Sequence, residues 1–452
     1  MGANGSLRGV SVLVAGAGLA GLSAARDLVG HGADVTVVEA RDRLGGRVWT
    51  IRDGFTAGQH AEAGGDMIDE SQTEIRTLAG ELGLTLTRIL RGGFGYVRRN
   101  GPGRPHVMAR HAEGGWDALA GRLEHLARLY RLAEQRWDSP IAADLARRSV
   151  AQWLDSVNAD HELRATATGL RGFFLADPEE LSVIAFVDQF ASADEPAGSA
   201  LFRIVGGNDR LPAALGAALG DRVQLNTELV ALSHRGREVR ASLKQRRSVA
   251  QITCDYAVLT LPATVLRRVP ITPALPAQQH DAIARLKYGR ATKTLLQFST
   301  RFWRAVGRPR AFGSDLPFGA VWDGNEEQRG RPGILTLLAG GSASAATQAV
   351  VAKDGIRGLA TALDWLGASD ASSLLHAQQV VWEADPWARG GYAYFDPAFD
   401  PALRQWLTRP CGRLFFAGEH TSFRWQGYMN GAVESGRRAA AEIEAVHRIS
   451  TS

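Results

Sequence analysis

The first forty residues alternate between short apolar runs and a longer amphipathic stretch. The run at residues 12–15 has the length and composition of a strand that is buried on both faces of a parallel sheet. From residue 19 to residue 29 the apolar positions recur at helical spacing, and a second apolar run follows at residues 35–38. This pattern predicts a strand, a helix and a second parallel strand, the repeating unit of an α/β fold.

Glycines mark the turn between the first strand and the helix. Gly16 is suited to the tight turn, Gly18 lets backbone N–H groups approach a pyrophosphate, and Gly21 lets the helix pack on the strand. Glu39 ends the second strand, where it can accept hydrogen bonds from a ribose hydroxyl but would repel a 2′-phosphate. The segment predicts a dinucleotide site that disfavours NADP. These residues alone leave FAD and NAD as alternatives.

Arginines and a glycine pair directly follow this acidic residue. The segment runs from Ala40 and Arg41 to Gly45, Gly46 and Arg47, and we interpret it as a second clamp on the phosphate side of the cofactor. An acidic residue followed by Arg-x-x-Gly-Gly-Arg resembles the flavin amine oxidase family, whose members carry a similar segment around FAD. The resemblance therefore selects FAD as the expected cofactor.

The carboxy-terminal segment carries the most specific part of the resemblance. An apolar strand ends at Gly418 and Glu419, and a helix is expected to start near Gly431, so that its N–H groups face the electron-rich edge of the flavin. A double-glycine segment at residues 61–66, a strand–turn–helix pattern from residue 203 and a strand at residues 223–229 also match. The resemblance implies further cofactor contacts at Leu19, Ala20, Gly64, Gly65, Asp66, Leu229, Trp382, Gly427, Tyr428, Met429 and Ala432.

The centre of the chain is expected to supply the reactive groups. Lys293 lies in a predicted strand at residues 291–298 and is one of only four lysines; the matching lysine of the family holds a water against flavin N5. Tyr392 and Tyr428 match the two aromatic residues that flank the amine in monoamine oxidases. Gly391 stands where mitochondrial-type monoamine oxidases carry the cysteine that is linked to the flavin. The resemblance therefore implies non-covalent FAD.

The cofactor motifs fall in three stretches that are separated by divergent sequence. We expect an α/β fold with a discontinuous Rossmann-like FAD-binding domain and an α+β substrate-binding domain. Residues 1–78, 203–285 and 405–452 are assigned to the first, and residues 79–202 and 286–404 to the second. An apolar and aromatic segment at residues 172–190 has two interpretations, a lining of the substrate cavity or a core helix.

Composition excludes several partners. The net charge of +5 is spread over 452 residues, and its basic clusters are mostly pairs, which predicts no nucleic-acid surface. No apolar run is long enough to span a bilayer, so no membrane partner is expected. Two cysteines without zinc-type spacing indicate no metal site and fit a reducing cytoplasm. A homodimer is left open.

The expected function is an FAD-dependent oxidase of small-molecule amines. A hydride would pass from the α-carbon of the neutral amine to the flavin and then to oxygen, giving an imine, hydrogen peroxide and, after hydrolysis, a carbonyl compound with ammonia or a smaller amine. One alternative is an L-amino-acid oxidase, which needs an arginine for the substrate carboxylate; Asp66 and Asp69 after the double glycine disfavour it. The other is a biosynthetic flavoprotein that dehydrogenates an amide or a ring system.

Overall fold

The structure is a computed structural model of the chain. It describes residues 5–91, 95–98, 106–107, 116–133, 136–192, 200–305, 310–366 and 373–451. Several positions of the predicted substrate-binding segment 79–202 lie outside the described residues, as do the side chains at the end of the apolar segment 172–190.

A five-stranded parallel sheet forms one core of the molecule. Most positions of the strands at residues 11–15, 34–38, 256–259 and 414–416 are buried, which accounts for their nearly continuous Val, Leu, Ala and Phe runs, whereas Gln224 at the edge of the sheet is exposed. The order of the strands across the sheet is Val223–Gln224, Asp34–Val38, Ser11–Ala15, Tyr256–Leu259 and Leu414–Phe416. Strands from the two ends of the chain therefore lie within one sheet.

Three helices cover this sheet. Leu19–Gly30 follows the first strand as predicted, and it packs against Arg210–Leu219 and Met429–Thr451. The carboxy-terminal helix begins two residues before the expected Gly431. A Cβ atom at Gly436 would lie 2.2 Å from the carbonyl oxygen of Ala20, so the close approach of the first and last helices requires glycine there.

The predicted continuous strand at residues 223–229 is wrong. The strand Val223–Gln224 ends in the parallel sheet, Asn226 adopts a left-handed conformation with φ of +54°, and Thr227–Arg235 begins a second sheet. Asparagine tolerates this conformation better than most residues, which permits the change of sheet. The second sheet has the order Ser248–Cys254, Glu238–Gln245, Thr227–Arg235 and Ile271–Thr272.

A seven-stranded mixed sheet forms the other large layer. The predicted strand Ala291–Phe298 lies inside it and is buried at every position. The order of the strands is Leu374–Val381, Ala291–Phe298, Gly333–Gly340, Ala320–Asp323, Ala311–Ser314, Gly95–Arg98 and His106–Val107. All of these strands come from the two segments assigned to the substrate-binding domain.

The exact domain bounds stay a prediction. A three-stranded sheet made of Ile68–Asp69, Leu201–Ile204 and Leu86–Ile89 joins residues from both sides of the boundary predicted at residue 78. Thr50–Ile51 pairs with Ala61–Glu62, and Lys287–Tyr288 pairs with Ala393–Tyr394. Each of these two pairs stays within one predicted unit, so it is the three-stranded sheet that joins the two units.

Short helices fill the space around the sheets. The α-helices are Thr73–Glu81, Trp116–Leu132, Pro140–Ala146, Val150–Ser156, His161–Gly169, Arg171–Phe174, Val183–Ser192, Ala263–Leu266, Ala277–Arg285, Ser342–Asp354 and Ile356–Thr361. The 3₁₀ turns are Gly220–Arg222, Phe302–Arg304, Asp364–Leu366, Pro401–Leu407 and Glu419–Thr421. Among the described residues, no helix is both long and apolar enough to cross a membrane.

Candidate active site

A cavity of about 1070 Å³ lies between the parallel sheet and the seven-stranded sheet. Ala15 and Val38 at the carboxyl ends of two parallel strands line it, and so does Thr260, which directly follows a third. Ligands of open α/β folds bind at this edge of the sheet. The volume is at the upper end of the usual range for ligand pockets and suits a large ligand together with a small one.

The glycine motif presents an uncapped helix end to this cavity. Gly18, Leu19 and Ala20 line it, and no side chain caps the first turn of the helix. Free N–H groups at a helix amino terminus form an anion site. Gly21 does not line the cavity; a Cβ atom there would lie 1.9 Å from the carbonyl oxygen of Gly16, so this glycine permits the helix to pack on the strand. The motif fits the pyrophosphate of a dinucleotide.

Glu39 is buried beside this helix end. One carboxylate oxygen accepts the backbone N–H of Ala17 at 2.9 Å, and the other accepts that of Arg41 at 2.9 Å. Burial raises the pKa of Glu39, while the two N–H groups act to lower it. Each oxygen keeps a second lone pair, so the carboxylate has the acceptors that ribose hydroxyls require.

The two arginines of the predicted phosphate clamp line the cavity and also bind other parts of the chain, and the clamp itself stays a prediction. The Arg41 guanidinium makes a bidentate ion pair with Asp385, at 2.7 and 2.6 Å. Arg47 donates to the carbonyl of Gly391 and, at 3.0 Å, to Glu419. The acceptors of both guanidinium groups lie at residues 385–419, so the two arginines connect the amino-terminal segment with the carboxy-terminal part of the chain. Ala40, Gly45 and Gly46 of the same segment line the cavity as predicted.

Lys293 projects from its strand into the cavity wall. Its ammonium donates to the carbonyl of Gly64 at 2.9 Å and to Asp66 at 3.1 Å, and it lies 5.1 Å from the ring centroid of Trp322. Burial lowers the pKa of Lys293, and the neighbouring Asp66 carboxylate opposes this. The double-glycine segment and the predicted catalytic lysine are therefore in direct contact.

Asp66 belongs to a buried charge network. It accepts from the guanidinium of Arg203, from Lys293, and from the indole N–H of Trp322 at 3.0 Å. Burial alone would raise the pKa of Asp66, but the two cations lower it below its usual value. The sequence predicts that the negative charge of Asp66 disfavours an anionic substrate. In the structure two cations, Arg203 and Lys293, pair with this carboxylate, so Asp66 does not present an unpaired negative charge to the cavity. Asp66 holds Lys293 in addition to lining the cavity.

Three aromatic side chains stand in the same cavity. Trp382 donates its indole N–H to the carbonyl of Ala63 at 3.0 Å, next to the double glycine. Tyr392 donates its hydroxyl to the carbonyl of Phe173, and burial raises the pKa of its phenol, so the ring stays neutral. Tyr428 packs edge-to-face on Trp425 with centroids 5.9 Å apart. The prediction that Tyr392 and Tyr428 flank one site is consistent with their shared cavity.

The carboxy-terminal segment closes around these rings. Glu419 accepts the backbone N–H of Gly427 at 2.8 Å, and a Cβ atom at Gly427 would lie 3.2 Å from the Tyr392 ring. Gly418 has a φ of +132°, which favours glycine. Leu229, Gly65, Met429 and Ala432 complete the predicted positions that line the cavity. Apart from Gly21, every predicted site residue lies in its wall.

Some lining residues were missed. Thr260 and Pro262 follow a parallel strand, and the rule that ligands bind at the carboxyl ends of such strands would have found them. Trp137 lies in the divergent sequence between the cofactor motifs, where no local pattern distinguishes it from a core residue. Asp188 lies in the segment 172–190, for which a cavity lining was one of the two interpretations.

The fold and the cavity define a class of proteins that hold a dinucleotide at the edge of a parallel sheet and a second, small molecule against it. A sequence model of the family described as flavin containing amine oxidoreductase matches residues 19–444. The flavin-containing monoamine oxidase AofH of Mycobacterium tuberculosis is 30% identical over 97% of both chains. Flavin-containing amine oxidase A of Sus scrofa is 28% identical over 96% of this chain and 85% of that protein.

Solved structures agree with these relatives. Cyclohexylamine oxidase from Brevibacterium oxydans superposes with a TM-score of 0.84 at 26% identity, covering 96% of this chain and 99% of that one. Putrescine oxidase bound to putrescine superposes with a TM-score of 0.83 at 26% identity and the same coverage. The chain belongs to the flavin-containing amine oxidoreductase family, which confirms the predicted fold class, the FAD cofactor and the amine oxidase activity.

Proposed function

We propose that the protein oxidises a small amine bound between Tyr392 and Tyr428, with Lys293 at the reacting end and hydrogen peroxide as a product. The observation that carries this proposal is the single cavity that joins the glycine motif to all three side chains. Bound FAD supplies the hydride acceptor and passes the electrons to oxygen. The chain supplies orientation, exclusion of water and a fixed positive charge.

The residues of the chain divide this work. The helix end at Gly18 would hold the pyrophosphate, and Glu39 the ribose. The Tyr392 hydroxyl is bound to the carbonyl of Phe173, which fixes the ring as a wall against which a neutral amine can be oriented. Lys293 is held by Gly64 and Asp66, so its ammonium stays beside the double-glycine segment. Location in the cytoplasm and a homodimer stay predictions.

A specific observation favours the amino-acid oxidase alternative as second candidate. Arg424 lines the cavity beside Trp425, with its guanidinium 5.2 Å from the ring centroid. Arginine is the residue best suited to hold a carboxylate in bidentate geometry. Its position near Tyr428 therefore offers a partner to the carboxylate of an amino acid. Three other cations of the cavity wall, Arg41, Arg47 and Lys293, are already engaged by Asp385, Glu419 and Asp66.

The test compares two substrates that differ by one carboxylate. We expect phenethylamine to produce peroxide and to bleach the flavin under anaerobic conditions, and phenylalanine to do neither. Arg424→Gln is the matched variant: under the amine proposal it leaves phenethylamine oxidation unchanged. Oxidation of phenylalanine that is lost in Arg424→Gln would instead support the amino-acid oxidase.

The geometry around Gly391 also gives a prediction about the cofactor. A Cβ atom at this position would lie 2.3 Å from the Leu175 side chain and 2.9 Å from that of Ala291, so the chain has no room here for an attaching cysteine without rearrangement. We expect acid precipitation to release all of the yellow colour into the supernatant, measured by its absorbance after centrifugation. Colour that stays in the washed pellet would contradict non-covalent binding.

A further inference from the structure

The helix Val183–Ser192 forms a part of the cavity wall next to Tyr392. Its residues Ala185 and Asp188, three positions apart on one face, both line the cavity. Two contacts connect Tyr392 with this helix. The Tyr392 hydroxyl donates a hydrogen bond to the carbonyl of Phe173, and the next residue, Phe174, packs on Phe186 of the helix with ring centroids 4.8 Å apart. Asp188 therefore lines the same cavity as Tyr392, on the helix that this aromatic contact reaches.

The Asp188 carboxylate has hydrogen-bonding capacity left for a ligand. One oxygen accepts the hydroxyl of Tyr130 at 3.0 Å. Within the part of the chain that the structure describes, the other oxygen accepts no hydrogen bond, and the side chain is only partly buried although it lies in an internal cavity. A buried carboxylate normally uses several acceptor sites, so one of its oxygens is available to a donor in the cavity.

The charge of Asp188 is opposed by a buried arginine. The buried Arg404 guanidinium lies behind the cavity wall, 3.9 Å from the ring centroid of Trp137 and 5.2 Å from that of Phe395. Burial raises the pKa of Asp188, and the charge of Arg404 together with the Tyr130 hydroxyl opposes this. Among the described residues Arg404 makes no ion pair within 4.0 Å and donates its hydrogen bonds to backbone carbonyls. Burial lowers the pKa of Arg404, and the charge of Asp188 is the main effect that opposes this.

The surroundings of the Asp188 carboxylate determine which polar group of a substrate can bind to it. An anionic group would meet the negative charge directly. A second ammonium would lose its hydration beside a carboxylate whose charge Arg404 already opposes, and burial of an ion costs several kcal/mol unless it is compensated. A neutral hydroxyl needs only one acceptor, which the second oxygen of Asp188 provides. The rings of Trp137 and Phe395 also line the cavity, and they suit the apolar part of the substrate.

We propose that Asp188 accepts a hydrogen bond from a hydroxyl group at the end of the substrate opposite the reacting amine, so that the preferred substrates are amines with a terminal hydroxyl. The inference rests on the proposed amine oxidation and adds the chemical class of the substrate. Tyr130 acts as a positioning residue, because its bond to one oxygen directs the other into the cavity.

A matched set of three compounds tests this inference. Hexylamine, aminohexanol and diaminohexane differ only in the terminal group, and shorter and longer sets adjust the length. Anaerobic bleaching of the flavin gives a dissociation constant and a reduction rate for each compound. We expect the amino alcohol of the best length to bind about tenfold more tightly than the alkylamine, as for a hydrogen bond to a charged acceptor, with similar reduction rates.

Variants separate the role of Asp188 from general damage. Asp188→Asn keeps the shape and an acceptor for Tyr130 but removes the charge, so the preference should fall to about threefold or less. Hexylamine, which has no terminal hydroxyl, gives the reference affinity against which the preference is measured in each variant. Asp144→Asn is the matched control, since the Asp144 side chain is exposed, lies outside the cavity lining and pairs with Arg148; it should keep the full preference.

Three outcomes would overturn the inference. The first is equal binding of all three compounds at every length, and the second is a preference for the diamine that Asp188→Asn abolishes, which would make the site a cation subsite. The third is a hydroxyl preference that survives Asp188→Asn undiminished. If none of the amines bleaches the flavin, the proposed function itself falls, and the inference with it.

Discussion

Replacement of Lys293 by methionine is expected to slow reoxidation of the reduced flavin about a hundredfold, in the range that loss of one electrostatic group costs an enzyme. The ammonium is buried and fixed by the carbonyl of Gly64 and by Asp66, so its positive charge reaches the cavity with little screening by solvent. Methionine has a similar length without charge or donors. Stopped-flow mixing of the reduced protein with oxygen measures the effect.

The two half-reactions distinguish this role from general damage. Anaerobic reduction by the amine should change much less than reoxidation, and the flavin content should be the same as in the original protein, because the glycine motif and Glu39 are untouched. Lys293→Arg keeps a charge in a bulkier group and should recover part of the reoxidation rate. An unchanged reoxidation rate in Lys293→Met would remove Lys293 from the mechanism.

The amino-terminal and carboxy-terminal parts of the site were predictable because their signals are local. Gly16, Gly18 and Gly21 meet backbone constraints that are set within a few residues, and strand and helix periodicity lies on either side. The rarity of lysine made Lys293 stand out, and its strand is formed as predicted. Where the sequence pattern extends across the whole element, the structure agrees with it.

The partners of charged side chains were not predictable in the same way. Arg41 pairs with Asp385 and Arg203 with Asp66, and in each case tertiary packing brings together residues that are distant in the sequence. In a chain rich in arginine, no local pattern says which guanidinium meets which carboxylate. The break at Asn226 was also missed, because one residue in a left-handed conformation redirects an otherwise regular strand into another sheet.

The buried pair of Asp66 and Arg203 gives the largest expected effect on stability. Both side chains are almost completely buried, and Arg203 also binds Glu327 at 3.1 Å and the carbonyl of Gly324 at 2.8 Å. Asp66→Asn removes one of the two ion pairs of the Arg203 guanidinium. It also places an amide N–H₂ group, which is a donor, beside the donors of Arg203, Lys293 and Trp322. Breaking a buried pair on one side costs about 3–5 kcal/mol, and since Glu327 remains, we expect about 3 kcal/mol in the free energy of unfolding.

The neighbouring carboxyl group of Glu62 makes the loss of stability in Asp66→Asn depend on pH. Glu62 is buried, and its pKa is raised to about 8 by burial and by the charge of Asp66. Removal of that charge should lower the pKa of Glu62, so that it ionises near neutral pH and partly replaces Asp66 opposite Arg203. The destabilisation by Asp66→Asn should therefore be larger at pH 6, where Glu62 stays protonated, than at pH 8.

Urea unfolding at the two pH values measures both effects. Asp155→Asn is the control, because Asp155 is exposed and its ion pair with Arg164 contributes little. Since Asp66 also holds Lys293, Asp66→Asn should slow flavin reoxidation as well, in the same direction as Lys293→Met but less strongly. Stability and reoxidation that both match the Asp155→Asn control would show that Asp66 neither balances Arg203 nor positions the lysine.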